Sequence, residues 1–73
     1  MKQGQYVRLT AYNKPAIGTI LVPSSDPNAA CLVRIFHTPD FEGNPLEGWV
    51  YLNESDIFDP SELERIILEI KRP

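Results

Sequence analysis

A mainly β fold is the class this sequence predicts: five short strands curled into a small barrel, followed by one short C-terminal helix. Three observations carry that expectation. Apolar residues recur in short runs with a period of two, as in half-buried strands. Seven prolines and four glycines are spread over 73 residues, which leaves room for many turns and little room for long helices. Only the last stretch combines a helix start signal with apolar residues at helical spacing.

The length allows one small domain, and such a chain buries only roughly 60% of the surface its unfolded form exposes. Cys31 is the single cysteine, so an intrachain disulfide is excluded and a reducing, cytoplasmic setting is expected. The lone histidine rules out a zinc site built from several Cys and His residues. Met1 and Lys2 lead into a polar segment, so no secretory leader is expected there. No apolar run approaches the roughly 20 residues of a membrane span, and no membrane partner is expected. The formal net charge of −3 and the pI of about 4.9 argue against a nucleic-acid partner, which calls for a basic face.

The first strand is expected over residues 4–10, where Val7 and Leu9 alternate with Arg8 and Thr10. Residues 11–16 read as a loop, because Pro15 has no amide to give to a ladder. Residues 17–22 form the second strand, and Gly18 suggests a bulge or sharp bend within it. Pro23 to Asn28 is a turn-rich loop. Residues 30–36 are the third strand, with Cys31, Val33 and Ile35 on the core side and Leu32, Arg34 and Phe36 on the other. The longest loop follows, over residues 37–47.

The chain is organised around residues 48–58. Gly48, Trp49, Val50, Tyr51 and Leu52 have strand composition. Asn53, Glu54, Ser55 and Asp56 form a polar turn, and Ile57 and Phe58 return as a short fifth strand. Asp59 can cap a helix, Pro60 suits its first position, and Glu62 completes a capping box. Leu63, Ile66, Ile67 and Ile70 then make one apolar stripe, and Lys71 and Arg72 suit the negative end of the helix dipole. Ile66, Leu68 and Ile70 also alternate as a strand would; the helix is preferred because the strand reading ignores the start signal. Residues 1–58 are thus expected as the barrel and 59–73 as an amphipathic helix packed on it or on a partner.

Gly48-Trp49-Val50 ahead of the return at Ile57, together with residues 6–12, resembles the small SH3-like barrels. The resemblance covers most of residues 4–58 and is at the level of the fold. The Pro-x-x-Tyr that SH3 domains place after the Gly-aromatic step is replaced by Leu52, Asn53, Glu54 and Ser55, so proline-peptide recognition is not implied. The small plasmid-borne dihydrofolate reductases are similar in size and fold. Val50 matches the first residue of their pore strand, but Tyr51 and Asn53 replace the Gln and Tyr that would contact substrate and cofactor.

The chemistry-bearing residues give no catalytic constellation. His37 has Asp40 and Glu42 near it in sequence, but Ser24, Ser25, Ser55 and Ser61 carry no nucleophile context. Cys31 sits in an apolar strand without the basic neighbours of a reactive thiol. Asp40, Glu42 and Glu47 cluster in one loop, and Glu54, Asp56 and Asp59 in the closing turn, without the ligand order of a Ca²⁺ loop. No metal, cofactor or catalytic residue is therefore expected. The aromatics exceed what so small a core holds, so some must surface as interface anchors. The expected function is a non-catalytic protein-interaction module or accessory subunit. Its partner-binding surface would comprise Tyr12, Phe41, Trp49 and Tyr51 with Asp40, Glu42, Glu54 and Asp56. The expected partner is a protein, with basic character, and the chain is a monomer or a homodimer through its C-terminal helix. A nucleic-acid-binding barrel is the alternative, and a small subunit of an electron-transfer complex is a third reading, by analogy alone.

Overall fold

The computed structural model describes residues 1–9, 16–26, 28–37 and 45–71, the side chains of His37 and Lys71 excepted. Among these residues the chain is mainly β, with five antiparallel strands and one short C-terminal helix. The strands are β1 (Tyr6–Leu9), β2 (Ala16–Val22), β3 (Cys31–His37), β4 (Leu46–Val50) and β5 (Ile57–Phe58), and the helix is α1 (Leu63–Lys71). They form one sheet in the order β4-β3-β2-β1-β5. Among the described residues no pairing joins β4 to β5, so the sheet is open where the sequence led us to expect a closed barrel.

Several boundaries differ from expectation, each for a local reason. Gly4 takes a φ of 88°, which side chains resist, and its amide donates to the Ile20 carbonyl at 2.7 Å. Gln3 and Gly4 therefore form a turn, and β1 begins only at Tyr6. Ala16, expected in a loop, pairs with both Leu9 and His37 and so opens β2. His37, expected in the loop that follows, is the last residue of β3 through that pairing. β4 starts at Leu46 rather than Gly48, because Leu46 and Glu47 lie opposite Ile35 and Arg34; it ends at Val50, opposite Cys31.

Gly18 is not the bulge. The register shift falls between Ile20 and Val22, while Gly18 pairs regularly with Val7 and Ile35. Gly18 is there for closeness: a Cβ at that position would lie 2.5 Å from Val33 Cγ1 and 2.9 Å from the Arg34 carbonyl oxygen.

Paired residues of an antiparallel sheet share a face. On one face Val7, Leu9, Ala16, Ile20, Cys31, Val33 and Ile35 form a buried cluster. Cys31, Val33 and Ile35 are thus on the core side, as the alternation predicts. Met1, Val50, Leu52 and Ile57 pack against its margin. The second face carries a separate core of Ile17, Phe58 and Ile66, bordered by Tyr6, Leu63, Ile67 and Ile70. The apolar stripe of α1 lies on the chain's own sheet. Ala16, Ile17 and Gly18 are consequently all buried, since β2 is covered on both sides at this point.

The helix start is as the sequence predicts, with one addition. Asp59 accepts from the Ser61 amide at 3.1 Å, and Glu62 reaches back to the Asp59 amide at 3.4 Å. Residues 60–62 make a 3-10 turn, and α1 continues from it.

Candidate functional site

The second face of the sheet can be followed in rows. One row crosses all five strands: Phe58, Tyr6, Thr19, Arg34 and Glu47. Its apolar end, where Tyr6 and Phe58 stack with ring centroids 5.7 Å apart, is where α1 packs. Its other end is an ion pair, Arg34 to Glu47 at 3.5 Å. A second row lies beyond that pair: Val22, Leu32 and Trp49 across β2, β3 and β4. This apolar row is open. Val22 is 45% exposed and Trp49 64%, and Tyr51, two residues past Trp49, is 75% exposed. Bulky aromatic surface of this kind is what interfaces use as anchors.

The carboxylates around it have distinct roles. Glu47 is held by Arg34 across the ladder. Asp56 accepts from the Asn53 amide at 2.9 Å and so closes the 3-10 turn of residues 54–56. Glu54 projects from the same turn, its side chain 87% exposed and 3.9 Å from the amino group of Met1. Beside it lies an open depression of about 430 Å³, lined by Met1, Ser24, Asp26, Leu52, Asn53 and Glu54.

The expected surface is therefore placed in part. Trp49, Tyr51, Glu54 and Asp56 fall along the end of β4 and the turn after it. Tyr12, Asp40, Phe41 and Glu42 lie outside the described residues. Sequence reasoning missed Val22 and Leu32, which extend the aromatic row; their alternation was visible, but the bulge after Ile20 put Val22 on the outer face.

Cys31 lies in the interior, 0% exposed, and its thiol donates to the Val50 carbonyl at 3.5 Å. Burial pushes that thiol up, away from the reactive thiolate, with its own backbone amide offsetting part of the shift. Among the described residues no group of three or more His, Cys, Asp or Glu side chains is placed to hold a metal ion. No helix among them is long and apolar enough to cross a membrane. No protein-family model matches the chain, and no curated protein or solved structure is recognisably similar to it.

Proposed function

We propose that the chain is a non-catalytic protein-interaction module or accessory subunit, built as an SH3-like barrel and binding its partner through the aromatic and acidic surface at the end of β4. The observation that carries this reading is the division of the outer face. Helix α1 covers Ile17, Phe58 and Tyr6, whereas in the row Val22, Leu32 and Trp49 the two ends stand exposed with Leu32 half-buried between them, and Tyr51 stands exposed beside it. Rows of this composition are costly to leave in water unless a partner uses them. The acidic balance of the chain and the exposed Glu54 suit a basic partner. Two features support the barrel. The last strand returns to pair with the first, and Val50 and Leu52 from the β4 side share one core with Ile57 from β5.

The test is comparative capture from the native host with the intact chain and with a Trp49→Ser/Tyr51→Ser double variant. A partner protein identified by mass spectrometry should be retained by the first, lost from the second, and displaced by excess free chain. Equal capture by both would remove the aromatic surface from the reading. Capture abolished by nuclease, with affinity falling steeply as salt rises, would turn the reading to nucleic acid.

A further inference from the structure

The free edge of β4 is the other feature of this surface. Among the described residues β4 is an end strand of the sheet, and no strand pairs with its outward side. Five residues long, it offers a row of unpaired backbone donors and acceptors, the template that β-addition uses. Protected edges carry prolines, bulges or free charges. Within β4 there is no proline, and its one charge, Glu47, reaches Arg34 at 3.5 Å while its side chain stays 54% exposed, within reach of a second cation.

The side chains on both faces of this edge are incompletely covered. Leu46 lies opposite Ile35 on the core face, yet it is 55% exposed while Ile35 is 4% exposed. Gly48 follows on the same face and leaves a notch, since among the described residues a Cβ there would meet only Ile35 Cδ1, at 3.6 Å. Trp49 stands out on the opposite face. One more strand would pair the backbone, fill the notch and cover Leu46 and Trp49 together.

We infer that the β4 edge accepts an extended segment of the partner as a sixth strand, with apolar residues toward Gly48 and Leu46 and a basic residue beside Glu47. This rests on the interaction reading above and names the chemistry of its partner. Charge decides the occupant. Opposite charges facing across a ladder stabilise it and like charges weaken it. A second copy of this chain would bring no cation to Glu47. Antiparallel two-fold registers centred on Glu47, Gly48 or Trp49 set Glu47 against Glu47, Trp49 or Tyr51, and each copy adds a net charge of −3. A five-residue edge is also small beside the roughly 800 Å² per partner of a standard interface, so a flexible segment suits it better than a dimer.

The probe is a ten-residue peptide of alternating lysine and valine, added to the intact ¹⁵N-labelled chain. Two controls accompany it: the same peptide with every second amide N-methylated, and the glutamate–valine counterpart. The expected result is hydrogen-exchange protection of β4 amides by the lysine peptide. N-methylation should weaken binding roughly tenfold or more, because it removes the ladder bonds and keeps the charge. The glutamate peptide should leave β4 unprotected. Equal binding of the N-methylated peptide, with shifts confined to Trp49 and Tyr51, would overturn edge pairing and leave the aromatic surface standing. Equal binding of the glutamate peptide would overturn the basic partner. Protection of β4 that grows with protein concentration alone, with a dimer in sedimentation, would assign the edge to a second copy. Absence of any peptide-induced change at β4 would overturn the proposal, whereas failure of the interaction reading itself would show as equal capture by the Trp49→Ser/Tyr51→Ser variant.

Discussion

Arg8 on β1 and Glu69 on α1 are 61 residues apart in sequence and 3.2 Å apart in space. The second oxygen of the same carboxylate takes Arg65 at 2.6 Å, and Arg65 reaches Glu62 at 2.8 Å. A chain of charges thus ties the helix to the first strand and runs back along its own first turns. The side chains of Arg8 and Glu69 are 39% and 42% exposed, so water and salt screen the link. Arg8→Ala should cost less than about 1 kcal/mol. The difference in melting from the parent should shrink in 1 M salt, where the Debye length is about 3 Å. A loss of several kcal/mol that salt does not touch would mean that the Arg8 stem, not its charge, holds α1.

Gly18→Ala should be among the most damaging single-atom additions in the sheet. The new Cβ would meet Val33 Cγ1 at 2.5 Å and a backbone oxygen, that of Arg34, at 2.9 Å. A side chain can rotate away, but the carbonyl of a paired strand cannot. Overpacking of this kind costs about 1–3 kcal/mol. Gly48→Ala is the internal control, with its nearest obstacle at an ordinary 3.6 Å. Chemical denaturation of the two variants should separate them clearly, and equal midpoints would show that β2 and β3 yield more easily than their packing implies.

Local signals made most of this fold legible. The capping pattern of Asp59, Pro60 and Glu62 marks the helix start because it needs only residues three apart. The alternation of Val7 with Leu9 and of Cys31, Val33 and Ile35 fixes the faces for the same reason. What could not be read is set by pairing at long range. Leu46 and Glu47 have no strong strand preference of their own, and join β4 only because Ile35 and Arg34 stand opposite. Gly18 reads equally as a bulge or as a close approach, and only the position of Val33 decides. Ile17 alternates out of the inner core, and the covering helix that buries it lies about 50 residues away in sequence. Of the surface, Trp49 and Tyr51 were readable as an aromatic excess, whereas the open row they join required the register.

Cys31 links stability to alkaline pH. Its folded thiol titrates above the ordinary range because it is buried, whereas the unfolded thiol is solvated. As pH rises through the ordinary thiol range the unfolded state loses its proton first, so the unfolded state is favoured. Cys31 thus contributes stability that is fully present below that range and declines above it. Denaturation between pH 7 and 10 should show a fall that a Cys31→Ala variant lacks, though that variant starts lower for its lost packing. Thiol labelling of the parent should be slow in buffer and fast in denaturant. Fast labelling of the folded chain would contradict the burial of Cys31.

Trp49 is the only tryptophan, so its fluorescence reports one site. At 64% exposure its emission should be red-shifted and readily quenched by iodide. Trp49→Ser should alter stability by no more than about 0.5 kcal/mol, as surface substitutions generally do. Emission shifted to the blue and inaccessible to iodide would show that the aromatic row is already covered, by a second copy or by the rest of the chain. Sedimentation of the intact chain would distinguish these, and would also test a homodimer through α1.

The last prediction concerns how α1 is held. A helix of nine residues does not persist alone in water, because nucleation is costly and the chain is too short to recover it. Its permanence must come from packing and from its cap. Ile66 is the side chain that packs deepest, 4% exposed against Ile17 and Phe58. Ile66→Ala removes buried methyl groups and leaves a cavity between helix and sheet, which costs about 2–5 kcal/mol. Small domains have roughly 5 kcal/mol or a little more to lose, so the variant should be near unfolding at ambient temperature. Asp59→Ala removes the bond to the Ser61 amide and should cost about 0.5–2 kcal/mol, less than the cavity. Leu68→Ala is the contrasting change, since Leu68 is 56% exposed on the far side of the helix and should be nearly neutral. Denaturant titration of the three variants, followed by circular dichroism, gives the order Ile66 before Asp59 before Leu68. If Leu68→Ala were the most damaging, the buried side of α1 would be the opposite one, and the second core on Ile17 and Phe58 would have to be abandoned.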